Sequence, residues 1–360
     1  MNKWRGGVAE LKTDLLLLAC VKFKGERSVY GAYHLLQGKR SAQTIQDGAF
    51  FSALPLFGLL RSLKREEVPA LVGELENLGY LKREAELVYP TEAGIRHVQR
   101  FLKQHSYIAD IDNWVFGKRS RPFWQRLTLV VQTLSHLAVK KSFVPVVQEY
   151  EIQQWVKRYT PKNTNARKQL RTQLYEECRA LLLEVSEQQA LVFVGQLSRP
   201  GRVGLTIDQL AERLGLVKIE AELMQLATLH RIFRQLDANP KRFRVLASFL
   251  EKPDGDEHAT ATASARKTAQ LLTRAKAVDE LARLRQLKTA TIEDHLVELA
   301  LFNLDFPIRD YLSLEMEQEI LARSKELNTL KLKTIREALD SQVSYFMIRL
   351  ALTRKDRSLC

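Results

Sequence analysis

Cysteine is scarce in this 360-residue sequence and poorly placed for cross-links or metal: Cys20, Cys178 and Cys360 lie far apart, with no CxxC or Cys/His spacing. That argues against a disulfide framework or a structural zinc site and fits a reducing compartment. Long apolar runs are also missing. The longest, Leu15 to Val21, falls well short of the roughly 20 residues that span a bilayer. Leu17-Leu18-Ala19-Cys20 echoes a lipoprotein cleavage box, yet Glu10, Lys12 and Asp14 interrupt the hydrophobic region such a signal needs. The expected location is cytoplasmic, away from any membrane. Alternating strand patterns are rare, which argues against a sandwich or barrel.

Enzyme signatures are absent as well. No HExxH, GxSxG or GxGxxG occurs, and the seven histidines are scattered. Gly31…Gly38-Lys39 has the wrong spacing for a phosphate-cradling loop, and Arg40 stands where a Ser or Thr would bind magnesium. The expectation is therefore a protein without catalytic residues, metal or cofactor.

What the sequence does have is positive charge, 56 Lys plus Arg against 42 Asp plus Glu, a net of +14. The excess is not spread evenly. Residues 118–250 carry 22 basic and 11 acidic side chains, while 1–117 carry 16 and 13, 251–263 carry 1 and 4, and 264–360 carry 17 and 14. A positive field of this kind attracts polyanions over about 8–10 Å at physiological salt. Any nucleic-acid affinity is expected in the middle segment.

Leu, Ala, Gln, Arg and Glu dominate, and apolar residues recur at three- and four-residue spacing, so the chain reads as mainly α, in tandem small helical modules of helix-turn-helix and winged-helix type. One hairpin stands out: Tyr80–Arg83 and Leu87–Tyr89, joined by Glu84-Ala85-Glu86. An amphipathic stretch closing at Gly79 precedes it, and Pro90-Thr91-Glu92-Ala93-Gly94 opens a further helix to about His105. That order is the winged-helix order. Charge and turn residues divide the chain into an N-terminal winged-helix domain (1–117), a basic helical middle domain (118–250), an acidic linker (251–263) and a C-terminal domain (264–360). Gly117 to Pro122 reads as an exposed connector.

The basic clusters are Lys118, Arg119 and Arg121, then Arg126, Lys140 with Lys141, Arg231 with Arg234, and Lys241, Arg242 and Arg244. Trp124, Phe233 and Phe243 lie among them, and cations interleaved with aromatics suit single-stranded or distorted nucleic acid, where bases stack while the backbone is held. The opposing interpretation is a solvated charged face over a core of aromatics. A candidate helix and turn also occurs at Thr206 to Leu216, with Thr206 as N-cap.

The sharpest pattern is C-terminal. Leu281, Ala282, Leu287 and Ile292 have the spacing that packs the second and third helices of a helix-turn-helix, with Thr289 or Thr291 able to cap the third. Lys288, Thr289, Thr291 and His295 are then candidate nucleic-acid contacts. Against this, Gln286 fills the turn position usually held by glycine, at a cost of about 1–2 kcal/mol, and Glu293, Asp294 and Glu298 would repel phosphates from the reading helix. The presumed reading helix of the winged-helix segment has the same difficulty, with Glu66, Glu67, Glu74 and Glu76.

Arg285 through Leu296 closely resembles the signature of the helicase helix-turn-helix domain, and Lys325-Glu326-Leu327, Lys333 through Leu339 and Ser344 through Leu350 extend the likeness. Such domains occur at the C-terminus of some RecQ-type helicases and in YpbB-like proteins of low-GC Gram-positive bacteria. His34 through Asp47 and Trp124-Gln125-Arg126-Leu127 also look similar to the YpbB-like family. The resemblance implies an accessory role beside a RecQ-type DNA helicase in repair or recombination. The expected partners are single-stranded or branched DNA, that helicase and, as a further candidate, a single-stranded DNA-binding protein. The alternative is a sequence-specific transcriptional regulator.

Overall fold

The computed structural model describes residues 3–84, 87–250, 261–339 and 342–355, with side chains from residue 10 onward. Among these residues are eighteen α-helices and one two-stranded antiparallel hairpin, so the chain is mainly α, as the periodicity requires. They form two compact units, each assembled from two separated stretches: Met1–Leu15 with His97–Lys252, and Leu16–Arg96 with Pro253–Cys360. The consecutive segments marked out by charge are thus not the compact units. Residues 251–260, most of the acidic linker, lie outside the described residues.

The first unit is built on the helices Asn113–Ala138, Thr164–Leu182, Glu187–Gly195, Ile207–Leu214 and Lys218–Ala238. Gly117 to Pro122 is no connector. It lies inside the 26-residue helix Asn113–Ala138, which continues through Pro122. An interior proline costs a helix about 3 kcal/mol. Phe116, Ser120, Phe123, Leu127, Val130 and Leu134 are all buried at three- and four-residue spacing, and that burial holds the helix through the break. Phe233, Phe243 and Phe249 close the same core.

The second module of this unit follows the turn chemistry of its sequence. Thr206 and Gln209 form a capping box before Ile207–Leu214, and Gly215 at φ 69° ends that helix. At Gly204 a side chain is barred by the Gln196 carbonyl, which would lie 2.0 Å from a Cβ.

The second unit contains the winged-helix module. The helices Val29–Gln37, Ala42–Phe50 and Val68–Asn77 precede β1 (Leu81–Glu84) and β2 (Leu87–Pro90), which pair with Leu81 opposite Pro90. The helix Glu92–Gln104 follows, and Gly94 lies so close to the Tyr80 carbonyl that a Cβ would meet it at 2.3 Å. The Thr91 hydroxyl accepts from the Gly94 N–H and donates to the Gly79 carbonyl.

Long-range polar contacts join the two stretches of this unit. The Glu26 carboxylate accepts from the Leu330 N–H at 2.7 Å and the Thr329 hydroxyl at 3.1 Å, and Lys355 donates to the Phe50 carbonyl. Cys20 is buried in the last turn of the helix Lys3–Phe23, and burial pushes its thiol up to about 12. No helix among the described residues is long and apolar enough to cross a membrane.

Candidate nucleic-acid interface

The helix-turn-helix forms as its spacing requires. Val278–Arg285 ends at Gln286, which adopts the left-handed conformation (φ 52°, ψ 43°), and the Leu287 N–H donates back to the Ala282 carbonyl. The helix Thr289–Phe302 follows. Neither threonine caps it: Lys288 occupies the N-cap without a side-chain bond, and Thr289 is the first helical residue, its hydroxyl 3.4 Å from Asp279.

The chief correction concerns the face of this helix. Ile292, His295, Leu296, Val297, Glu298, Leu299 and Ala300 are buried. It packs against Ala42–Phe50, Ala263–Ala269, Val278–Arg285 and Tyr345–Leu352, so its body is the central helix of its unit and only its first turn is open to a groove. His295 is a core histidine rather than a DNA contact; its Nδ1 lies 2.9 Å from the Thr268 hydroxyl, and burial lowers its pKa. At the start of the helix Lys288, Thr289 and Ala290 are exposed, with Thr291 half-buried.

The acidic residues of the helix are internally matched. Glu293 and Asp294 accept from Arg349, and Asp294 also accepts from Gln46 at 3.2 Å. Glu298 accepts from the Thr262 N–H at 2.5 Å and its hydroxyl at 3.1 Å, while burial raises its pKa. By sequence alone these carboxylates read as phosphate-repelling surface. Their partners lie tens to hundreds of residues away and carry no local signal.

The same holds in the first unit. The helix after the Gly215 turn, Lys218–Ala238, buries Ala221, Met224, Ala227, Thr228, Ile232 and Phe233. In both helix-turn-helix modules, therefore, the body of the helix that follows the turn is core, and its first turn is exposed or half-buried. On the winged-helix module the wing cations are neutralised, Lys82 by Glu84 at 2.9 Å and Arg83 by Glu76 at 2.8 Å, while Glu66 and Glu74 stay exposed.

The first unit contains the basic segment 118–250 and is the basic unit of the molecule; it divides its cations. Arg119 grips Asp237 with two bonds of 2.7 Å, Arg121 pairs with Glu149 at 2.8 Å, and Arg231 and Arg234 both approach Asp110 at 3.4–3.5 Å. Arg126 is buried and donates to the Phe249 carbonyl. Lys140, Lys141, Lys241, Arg242 and Arg244 are exposed and make no ion pair among the described residues. Lys118 is exposed on the Asn113–Ala138 helix. The interleaved aromatics are not a stacking platform: Phe233 and Phe243 are buried, and half-buried Trp124 packs edge-on against Phe193.

One buried pair has the residue types of a nucleophile and its base, and its hydrogen bonds run the wrong way. The Asp112 N–H donates to His230 Nδ1 at 3.1 Å, which leaves the ring proton on Nε2. Nε2 therefore donates to the Ser120 hydroxyl at 3.3 Å, and that hydroxyl donates to the Phe116 carbonyl. His230 has no lone pair facing Ser120. Desolvation pushes its pKa down to about 3.

Comparison with known proteins agrees with this architecture. A family model described as a helix-turn-helix domain matches residues 264–352. Protein YpbB of Bacillus subtilis (strain 168) is 33% identical over 346 residues, covering 95% of this chain and 97% of that protein. The chain belongs to the YpbB family. No solved structure matches it. In this YpbB-family chain the matched domain begins just after Thr262, the cap held by Glu298, and ends at the buried Leu352.

Proposed function

We propose that this YpbB-family chain is a non-enzymatic, cytoplasmic DNA-binding accessory protein that acts beside a RecQ-type DNA helicase in repair or recombination. The observation that carries the reading is the division of cations in the basic unit. Lys140, Lys141, Lys241, Arg242 and Arg244 are exposed without carboxylate partners among the described residues, in a segment with twice as many basic as acidic side chains. Such cations bind phosphate by releasing counterions, with little regard to sequence. Burial along the body of both turn-following helices supports backbone recognition over base reading. DNA, single-stranded or branched, is held by the basic unit. The matched helix-turn-helix domain docks the helicase, and a single-stranded DNA-binding protein is a further partner.

The test is a titration of the purified chain against single-stranded, duplex and forked DNA at several salt concentrations. A steep fall of affinity with salt is expected. A flat response, or no binding to any of the three, overturns the DNA half. Failure to co-purify with a RecQ-type helicase overturns the partner half. Metal-dependent cleavage of the DNA, lost on one carboxylate substitution, overturns the non-enzymatic reading.

A further inference from the structure

The basic unit contains an apolar groove that phosphate binding does not use. It lies between the helices Asn113–Ala138, Thr164–Leu182 and Glu187–Gly195 and encloses a cavity of ≈ 470 Å³. Its floor is Leu134, Leu174 and Phe193, all buried in the core. Its walls keep large apolar groups in solvent: Tyr175 is 62% exposed, Leu183 71% and Val194 49%. Contiguous apolar surface of this kind marks an interaction site, and a volume of this order accepts a few large side chains.

Charge at the groove specifies the occupant. Arg171, Leu174, Tyr175, Cys178, Arg179 and Leu182 line it from one stripe of the Thr164–Leu182 helix. Arg171 and Arg179 stand one turn either side of Tyr175, and neither makes an ion pair among the described residues. Lys168 extends the same stripe one turn further and is also exposed. The acidic Glu177 is turned away, its carboxylate accepting the N–H groups of Val245 and Leu246.

We infer that this groove docks a short acidic segment of a partner protein, whose large apolar side chains fill the cavity while its carboxylates meet Arg171 and Arg179. This is the groove mode of peptide recognition, with apolar anchors giving affinity and charge setting register. The acidic stretch of this chain, residues 251–257, contains no large apolar side chain to serve as anchor. Nucleic acid would meet a floor of Leu134 and Leu174 that offers phosphates nothing. The inference goes beyond the DNA reading and does not depend on it.

The test displays random 12-residue peptides, selects them on the full chain and counter-selects on Val194→Asp. Enrichment of sequences that join Asp or Glu to Leu, Phe, Trp or Ile is expected. A synthetic peptide of the enriched sequence should lose at least tenfold in affinity on Val194→Asp, and on the pair Arg171→Glu with Arg179→Glu, with only the arginine share sensitive to salt. All three substitutions are at exposed positions, and unchanged melting temperatures confirm that the variants fold. No enriched sequence, a basic or anchorless one, or equal binding to wild type and variants overturns the inference. So does a dimer that Val194→Asp dissolves, which would make the occupant a second copy, or an equal loss of forked-DNA binding, which would make it nucleic acid.

Discussion

Arg349 donates to Asp294, tying the last helix of the matched domain to the helix that follows its turn. The same guanidinium reaches Glu293 at 3.2 Å and is only 15% exposed. Two carboxylates that would repel phosphates from a groove-reading helix are thereby part of the fold. Removing the cation leaves both under-solvated. Arg349→Ala should cost about 2 kcal/mol, the loss expected for charged hydrogen bonds of this kind. For a unit of this size the melting transition should fall by roughly 4–8 °C. Asp294→Asn should cost less in the Arg349→Ala background than in wild type. A wild-type melting curve for Arg349→Ala would mean the ion pair contributes nothing.

How much of this is legible in the sequence depends on the range of the interaction. Local chemistry can be read directly: the hairpin, the Thr91 and Thr206 caps, the Gly215 end and the left-handed Gln286 are all set by residues within one turn. The helix through Pro122 reads as a connector because its turn residues are local, while the burial of Phe116, Phe123 and Leu127 that overrides them is not. The candidate site is obscured for the same reason. Whether Arg119 meets phosphate or Asp237, 118 residues away, is decided by packing that no spacing reveals. His295 and Phe233 have the residue types of nucleic-acid contacts and the positions of core.

The ion pairs separate cations that bind phosphate from cations that bind the protein itself. Charge reversal at Lys241, Arg242 and Arg244 should weaken DNA affinity steeply at physiological salt. Removing each phosphate-binding cation should lower the slope of log affinity against log salt by about one. Arg119→Ala should leave that slope unchanged, because its guanidinium is committed to Asp237. Equal changes in slope from the two sets would contradict the division.

Burial of His230 gives the basic unit a pH dependence of defined sign. Its folded pKa, about 3, lies below the unfolded value of 6.5, so the unfolded chain takes up the proton first. The stability from keeping the ring neutral is complete above pH 6.5 and is lost as pH falls toward 3. Between pH 7.5 and 5.5 the loss from this residue should be about 1.4 kcal/mol. Denaturant unfolding at the two pH values, compared with His230→Asn, isolates the contribution. An unchanged difference in the variant would place the dependence elsewhere.

Gln286 holds φ at 52° in the turn between two helices, the position where a side chain is least at home. A left-handed residue other than glycine carries a penalty of about 1–2 kcal/mol. Glycine would remove the penalty and give back part of the gain through the greater freedom of its unfolded chain. The side chain is exposed and makes no hydrogen bond among the described residues, so nothing in the fold is lost with it. Gln286→Gly should therefore stabilise the helix-turn-helix unit by roughly 0.5–1 kcal/mol, seen as a rise in its melting temperature, with DNA affinity unchanged. At Gly94, where the Tyr80 carbonyl leaves no room for a Cβ, the reverse exchange to alanine should destabilise the winged-helix module. If Gln286→Gly instead weakens the unit, the glutamine makes an interaction that outweighs its strain, and the turn is held by more than backbone geometry.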